Sequence, residues 1–177
     1  VNPFSVQEIA DAIKGTDTPV LIKNPINPDL SLWMGALERV NKVGINKIGA
    51  IHRGFSITGN SKYRYAPMWK IAIDLKSNIP NLPVICDPSH ICGNRDMIFE
   101  TSQKALDLGY DGLIIESHID PDNAWSDAKQ QVTPASLLKI KNDLKVKNTK
   151  EKDRSYKHLL EEIRENIDDV AKGDQIS

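Results

Sequence analysis

The stretch LPVICDPSH, residues 82–90, decides the fold because it joins an apolar strand directly to a polar turn. Residues 82–87 form a short, mostly apolar run, the kind of strand that is covered on both faces in a parallel sheet. Asp87 closes this run and His90 follows it. Parallel α/β folds place their chemistry there, because the loops after the strands and the helix N-termini converge at that edge. The stretch therefore predicts a buried parallel strand that delivers polar side chains to a site.

Three further apolar runs repeat this arrangement along the chain. They cover residues 19–23, 47–52 and 112–116, in addition to the run at 82–87. Helical spacing predicts helices over residues 5–14, 30–43, 68–79, 95–108 and 134–144. The first of these helices carries Ser5 and Glu8 at the spacing of a capping box. The alternation predicts an α/β fold in which one helix precedes four βα units, as in a barrel or a doubly wound sheet.

Composition narrows the classes of function. The chain has 177 residues, a formal net charge of -1 and two cysteines. A charge so close to zero gives no general attraction for nucleic acid or an anionic membrane, so we expect neither as a partner. Two cysteines are too few for a disulfide framework, and no apolar run approaches the roughly 20 residues that span a bilayer. We therefore expect a cytoplasmic protein.

Five polar side chains follow the predicted strands: Lys23, Arg53, His90, Glu116 and Asp127. Each alone has an ordinary explanation, such as a solvated lysine or a structural histidine in a loop. Together, His90, Glu116 and Asp127 offer the nitrogen and oxygen ligands that suit Mn, Fe, Co or Zn. Lys23 and Arg53 add two fixed cations suited to carboxylate and phosphate. This combination favours carbon–carbon bond formation on a phosphorylated keto or enol substrate, assisted by a divalent metal ion.

Five ordered motifs give the chain a family resemblance. They are PVLIK at 19–23, HRG at 52–54, DPSH at 87–90, IESH at 115–118 and SDAKQQ at 126–131. In order and spacing they resemble the motifs of the type I 3-deoxy-D-arabino-heptulosonate 7-phosphate (DAHP) synthases, in particular the beta subgroup. The resemblance covers about residues 1 to 138. It implies the C-terminal half of a TIM (β/α)8 barrel, about four βα units, with the first four strands preceding Val1.

The resemblance also implies an activity and the residues that carry it. The implied enzyme condenses phosphoenolpyruvate with erythrose 4-phosphate, the first step of the shikimate pathway of aromatic amino acid biosynthesis. His90, Glu116 and Asp127 would be the ligands of a divalent metal ion. Lys23 and Arg53 would bind phosphoenolpyruvate, and both would act in catalysis together with His90.

Some parts of the family pattern are missing or changed. His52 stands where many beta-subgroup members have glutamate. Cys86 and Cys92 lie in the wrong motif to replace the family's cysteine ligand, which belongs to an early strand, as does a Lys-Pro-Arg-Thr segment that holds both substrates. We therefore expect the chain alone to be inactive, or to need the missing half-barrel, either by association with that half or as a homo-oligomer.

Two alternative functions compete with this interpretation. One is a non-catalytic α/β module that binds phosphoenolpyruvate-like anions, although such a module would have no need of His90, Glu116 and Asp127. The other is 3-deoxy-D-manno-octulosonate 8-phosphate synthase, which shares the barrel and the phosphoenolpyruvate site. The segments at 87–90 and 126–131 look more like those of the heptulosonate enzymes.

The C-terminal residues predict a separate segment. We assign residues 1–145 to the partial barrel and residues 146–177 to a linker and an amphipathic helix. Apolar residues recur at helical spacing from Leu159 to Val170, with charged residues between them. This pattern resembles the first helix of an all-helical chorismate mutase, a domain fused behind the synthase in some bacteria.

Overall fold

The computed structural model describes residues 3–146, and its centre is a sheet of four parallel strands in chain order. The strands are β1 (Val20–Lys23), β2 (Ile48–His52), β3 (Val84–Cys86) and β4 (Gly112–Leu113). The helices are α1 (Pro3–Ala12), α2 (Leu30–Lys42), α3 (Trp69–Asn78), α4 (Pro88–Cys92), α5 (Ile98–Asp107) and α6 (Pro134–Asp143). Short 3-10 turns lie at Arg95–Met97, Pro121–Asn123 and Ala128–Gln130. The predicted α/β class and the four βα units are confirmed.

One face of the sheet, here called the open face, carries partly exposed apolar side chains at its two outer strands. The strand register pairs Lys23 with Ile51 and Ile51 with Ile85. Because side chains alternate along a strand, Leu21 lies on the same face as Lys23. Leu21 is 49% exposed and Ile114, beyond β4, is 41% exposed. In a closed barrel this face would line the interior, where such apolar side chains become buried.

Helices cover the opposite face. Ile22, Ala50 and Cys86 alternate with the residues of the open face and are all buried. Trp33 of α2 packs in the same hydrophobic core, and its indole Nε1 donates a hydrogen bond to the carbonyl oxygen of Ile22 at 3.2 Å. Burial of a large apolar side chain contributes about 1.5–3 kcal/mol, so this layer of helices stabilises the sheet from one side.

Three local predictions differ from the structure. Helix α1 begins at Pro3, so the prediction that Ser5 caps it was wrong; proline suits a first helical turn, where its missing N–H has no intrahelical partner. Strand β4 ends at Leu113 rather than 116, because Pro88 opens α4 and leaves no strand beyond Cys86 to pair with. Helix α4 was not predicted, since five residues are too few to show a helical period.

The described part of the chain also bears on the membrane and domain predictions. Among residues 3–146, no helix combines the length and the apolar content that crossing a membrane requires. The predicted C-terminal helix and its likeness to chorismate mutase fall beyond residue 146, outside the described residues. The division into a partial barrel and a C-terminal segment stays a prediction.

Candidate metal and anion site

The strand ends bring the predicted site residues to one edge of the sheet. Lys23 ends β1 and pairs with Ile51 of β2, so the period of two places Arg53 on the same face as Lys23. Asp87 lies on this face too, because it comes two residues after Ile85, the partner of Ile51. Glu116 comes four residues after Gly112, the partner of Ile85, so continued alternation would place it on this face as well. These polar side chains therefore lie together on the open face, at the C-terminal ends of the strands.

Three of these side chains form a cluster with the composition of a metal site. His90, Glu116 and Asp127 each offer one ligand atom, and the three atoms all lie within 4.8 Å of one another. His90 Nε2 lies 3.6 Å from Glu116 Oε1. All three residues are half-buried. One imidazole nitrogen and two carboxylate oxygens suit Mn, Fe, Co or Zn, so the residues present fit a divalent cation.

Asp87 fixes the position of His90 in two ways. Its Oδ1 accepts a hydrogen bond from the backbone N–H of His90 at 3.0 Å and so caps α4. Its Oδ2 lies 2.8 Å from His90 Nδ1, a close contact whose angles are not those of an aligned hydrogen bond. With Nδ1 turned to a carboxylate, Nε2 faces Glu116. A carboxylate behind an imidazole in this way is typical of metal-binding histidines.

Asp87 also contacts the first of the predicted anion-binding cations. Lys23 Nζ donates to Asp87 Oδ2 at 3.2 Å, and the lysine side chain is 43% exposed whereas that of Asp87 is 3% exposed. Burial alone would raise the pKa of the Asp87 carboxyl, but its contacts with His90 and then Lys23 outweigh burial and lower that pKa. Asp87 is therefore a buried anion, and the lysine keeps donors free for a bound anion.

Arg53 is held by its backbone and its guanidinium plane. Its N–H donates to the side-chain oxygen of Asn24 at 2.7 Å, while the Asn24 amide donates to the Gly54 carbonyl at 2.8 Å. The guanidinium carbon lies 4.3 Å from the centre of the Tyr65 ring, a cation–π contact. Gly54 has φ 80°, and a Cβ there would lie 2.7 Å from the Tyr65 carbonyl oxygen. The glycine thus permits the close approach that stacks Tyr65 on Arg53.

Two site residues, Arg64 and Gln130, were missed by the sequence analysis. Arg64 Nη1 donates to Asp127 Oδ1 at 2.7 Å and to Gln130 Oε1 at 2.6 Å. Gln130 Nε2 in turn donates to Glu116 Oε2 at 2.8 Å. The hydrogen bond from Arg64 is the main reason why the pKa of Asp127 is lowered, and the positive charges of Arg64 and Arg53 add to it. Gln130 lies in the SDAKQQ motif at 126–131, but nothing in the sequence marks Arg64.

His52 and the two cysteines lie away from this cluster. His52 is fully buried on the helix-covered face, where burial lowers its pKa to about 4. Cys86 lies on that face too, and Cys92 is buried in α4, where its Sγ lies 3.1 Å from Thr101 Oγ1. Burial raises the pKa of both thiols. A protonated thiol is a poor metal ligand, which agrees with leaving both cysteines out of the predicted ligand set.

Similarity to known proteins extends over most of the chain. A family model described as the DAHP synthetase I family matches residues 5–152. The phospho-2-dehydro-3-deoxyheptonate aldolase of Thermotoga maritima is 30% identical over 114 residues, which cover 64% of this chain and 33% of that protein.

Two solved structures, both from Thermotoga maritima, have a similar fold. One is a truncated form of 3-deoxy-D-arabino-heptulosonate 7-phosphate synthase, with a TM-score of 0.66 and 25% identity over 78% of this chain and 51% of that one. The other is a phospho-2-dehydro-3-deoxyheptonate aldolase (DAHP synthase), with a TM-score of 0.70 and 23% identity over 79% of this chain and 41% of that one. These relatives are TIM barrels, so the four βα units correspond to part of a barrel. The chain spans about half the length of the solved structures, or less, and a third of the curated relative.

Proposed function

The chain belongs to the DAHP synthetase I family, and on that premise we propose that it supplies the metal-binding and phosphoenolpyruvate-binding part of a DAHP synthase active site. The proposed reaction is an aldol-type condensation of phosphoenolpyruvate with erythrose 4-phosphate, which makes the protein a transferase of the shikimate pathway. Phosphorylated substrates of this kind are retained inside cells, and we place the reaction in the cytoplasm.

One observation carries the proposal. Ligand atoms of His90, Glu116 and Asp127 lie within 4.8 Å of one another, at the same edge of the sheet that carries Lys23 and Arg53. Cations alone would suit any anion-binding module, and a metal cluster alone would suit many hydrolases. A metal site next to two anion-binding side chains fits a substrate that combines phosphate and carboxylate groups with a carbonyl partner.

Each side chain has a proposed role that follows from its contacts. His90, Glu116 and Asp127 hold a divalent cation, with Mn, Fe, Co and Zn all compatible with these donors. Such a cation, when bound, would supply Lewis-acid polarisation of the aldehyde carbonyl. Lys23 and Arg53 bind the carboxylate and phosphate of phosphoenolpyruvate, and Arg53 can do so bidentately.

Asp87 contributes to both halves of the proposed site. It keeps His90 turned so that Nε2 faces Glu116, and it holds the Lys23 ammonium over the sheet edge. Both functions require that it stay ionised, which agrees with the direction of its pKa shift. We propose that Asp87 aligns the two binding regions without itself contacting the reacting atoms.

Catalysis should need more than this chain. Within residues 3–146, β1 and β4 are the two edges of the sheet and Leu21 and Ile114 of its open face are partly exposed. Exposed strand edges and an open apolar face are features that a closed barrel removes. We therefore expect the chain to act when joined to the remaining part of a barrel, either as a separate piece or through a second copy.

The test measures metal and anion binding separately on the full chain. His90→Ala, Glu116→Gln and Asp127→Asn should each abolish Mn2+ binding in a titration monitored by electron paramagnetic resonance, because each removes one of three ligands. Lys23→Met and Arg53→Met should instead weaken phosphoenolpyruvate binding in calorimetry while Mn2+ binding persists.

Two control variants and two outcomes complete this experiment. His118→Gln and Asp120→Asn remove an imidazole and a carboxylate from the same loop region without touching the cluster, and should change neither titration. Phosphoenolpyruvate binding that is unaffected by the His90 and Glu116 variants, together with no Mn2+ binding by the wild type, would indicate a non-catalytic module. Joined to its complementary half-barrel, the wild type should form the condensation product from both substrates and Mn2+.

A further inference from the structure

We propose that Arg64 and Gln130 are positioning residues that hold Glu116 and Asp127 with one oxygen of each carboxylate turned towards a divalent cation. This inference rests on the proposed metal site and assigns the residues that shape it. Neither residue has a direct place in the ligand cluster, since both act through the two carboxylates.

The contacts divide the oxygens of each carboxylate between two tasks. Glu116 Oε2 accepts a hydrogen bond from Gln130 Nε2 at 2.8 Å, while Oε1 lies 3.6 Å from His90 Nε2. Asp127 Oδ1 accepts from Arg64 Nη1 at 2.7 Å, which leaves Oδ2 without that tether. A carboxylate whose outer oxygen is fixed loses its freedom to rotate, so its inner oxygen is held ready for a ligand.

Arg64 also determines which way the Gln130 amide points. Gln130 is 1% exposed, and its Oε1 accepts from Arg64 Nη1 at 2.6 Å. A guanidinium can only donate hydrogen bonds, so it must face the amide oxygen and not the amide NH2. The NH2 group is thereby directed to Glu116. One nitrogen of Arg64 thus governs both carboxylates, one directly and the other through the amide.

The segment that carries Arg64 is fixed to the helix that carries His90. The backbone N–H groups of Arg64 and Tyr65 donate to the carbonyls of Cys92 and Ile91 in α4, at 3.3 and 3.2 Å. Gly93, directly after α4, has φ 62°, and a Cβ there would lie 2.6 Å from Arg64 Cβ. The absence of a side chain at Gly93 therefore lets the arginine pass close to α4. The same helix thus positions a predicted ligand and the residue that orients the other two.

The sign of the expected effect separates positioning from simple electrostatics. The Arg64 guanidinium is a positive charge next to a cation site, so its removal should strengthen cation binding if charge alone mattered. It also competes for the Asp127 carboxylate, and removing it would again favour the cation. Only the loss of carboxylate orientation predicts weaker binding. A fall in Mn2+ affinity on removing a positive charge therefore identifies Arg64 as a positioning residue.

The experiment compares Mn2+ dissociation constants of full-chain variants by electron paramagnetic resonance of the free ion. Arg64→Met keeps an unbranched stem against Gly93 but has no guanidinium, and Gln130→Met fills the same buried space without an amide. Each should weaken Mn2+ binding about 10–100-fold, the usual effect of losing an outer partner of a metal ligand. The double variant should be little weaker than the worse single variant, because both changes break one connected network.

Two further variants serve as controls. Lys62→Gln removes a positive charge from the same loop, where the lysine ammonium lies over the Tyr63 ring, and should leave Mn2+ affinity unchanged or slightly higher. Arg64→Lys keeps the charge and a hydrogen-bond donor, and should recover part of the affinity lost in Arg64→Met. Circular dichroism melts identify any variant that is unfolded, and whichever of Arg64→Met and Gln130→Met is folded then carries the comparison.

The outcomes distinguish this inference from the proposed function. The positioning role is overturned if the wild type binds Mn2+ and the folded variants Arg64→Met and Gln130→Met bind it equally well or more tightly. The metal site would then remain intact. No Mn2+ binding by the wild type would overturn the proposed metal site, and the positioning role with it. Additive losses in the double variant would overturn the connection between the two residues.

Discussion

Acidification should destabilise this protein through His52, which lies far from the solvent. Its side chain is fully buried, and the rings of Trp33, Phe55, Trp69 and Tyr110 surround it with centroid distances of 5.5–6.2 Å. Its Nδ1 lies 2.8 Å from the Tyr110 hydroxyl, and the two groups share a hydrogen bond. Burial among these rings lowers the pKa of His52 from 6.5 to about 4.

The direction of the effect follows from proton uptake. Between pH 6.5 and about 4 the unfolded chain binds a proton at His52 and the folded chain does not. The free energy of unfolding is therefore unaffected by this group above pH 6.5 and falls as the pH decreases through that window. A lowering of this size corresponds to roughly 3 kcal/mol, a large part of the stability of a domain.

The assay compares the wild type with His52→Asn by urea unfolding, monitored by tryptophan fluorescence, from pH ~7.5 to pH ~4.5. The Asn amide reaches the position of Nδ1, so it can still share a hydrogen bond with Tyr110 but does not titrate. It leaves a cavity whose cost is independent of pH. The stability advantage of the wild type over the variant should shrink by about 2–3 kcal/mol across the range. A difference that stays constant with pH would refute the assignment of a buried neutral imidazole.

Three other predictions follow from close contacts at the site. Gly93→Ala should lower the free energy of unfolding more than Gly44→Ala in urea titrations. Both positions have positive φ, a conformation that costs alanine about 1–2 kcal/mol. Only at Gly93 does the new Cβ also clash with Arg64, which should cost about 1–3 kcal/mol more. Asn24→Ala should cost about 1–3 kcal/mol in the same assay and weaken phosphoenolpyruvate binding in calorimetry, because it removes the buried acceptor of the Arg53 N–H. Asp87→Asn should preserve the helix cap, since asparagine caps equally well, yet weaken Mn2+ binding about tenfold or more by releasing the histidine ligand. Equal effects at the two glycines, or unchanged ligand binding in either of the other variants, would contradict the corresponding contact.

The strands of this fold could be predicted because each is a short apolar run with a sharp boundary. The third run was predicted over residues 82–87, and the strand itself, Val84–Cys86, is bounded by Pro83 on one side and by Asp87 and Pro88 on the other. The fourth strand was predicted too long for a tertiary reason. Its partner has turned into α4 by that point, and a strand cannot extend beyond the backbone it pairs with. Sequence patterns do not contain that information.

The gathering of the candidate site residues at one edge of the sheet was predictable from the positions of the strand ends. Lys23, Arg53 and Glu116 stand at or just after apolar runs, and parallel strands deliver such residues to one edge. Arg64 could not be found in this way, because it lies in the long segment between β2 and α3. Its position depends on backbone hydrogen bonds to α4, which form only after folding. Adjacent residues of a strand point to opposite faces, so strand periodicity could have predicted that His52 and Arg53 do not share one site.

The order of the strands divides the proposed site into two ends. Neighbouring strands lie about 4.8 Å apart, so Lys23 and Arg53 from β1 and β2 occupy one end of the edge. His90 and Glu116, which follow β3 and β4, occupy the other. Asp87 is the residue that joins them, because its Oδ2 contacts both the Lys23 ammonium and the His90 imidazole. An anion bound at the first end would thus be held beside a carbonyl at the second, which agrees with the proposed condensation of two phosphorylated substrates.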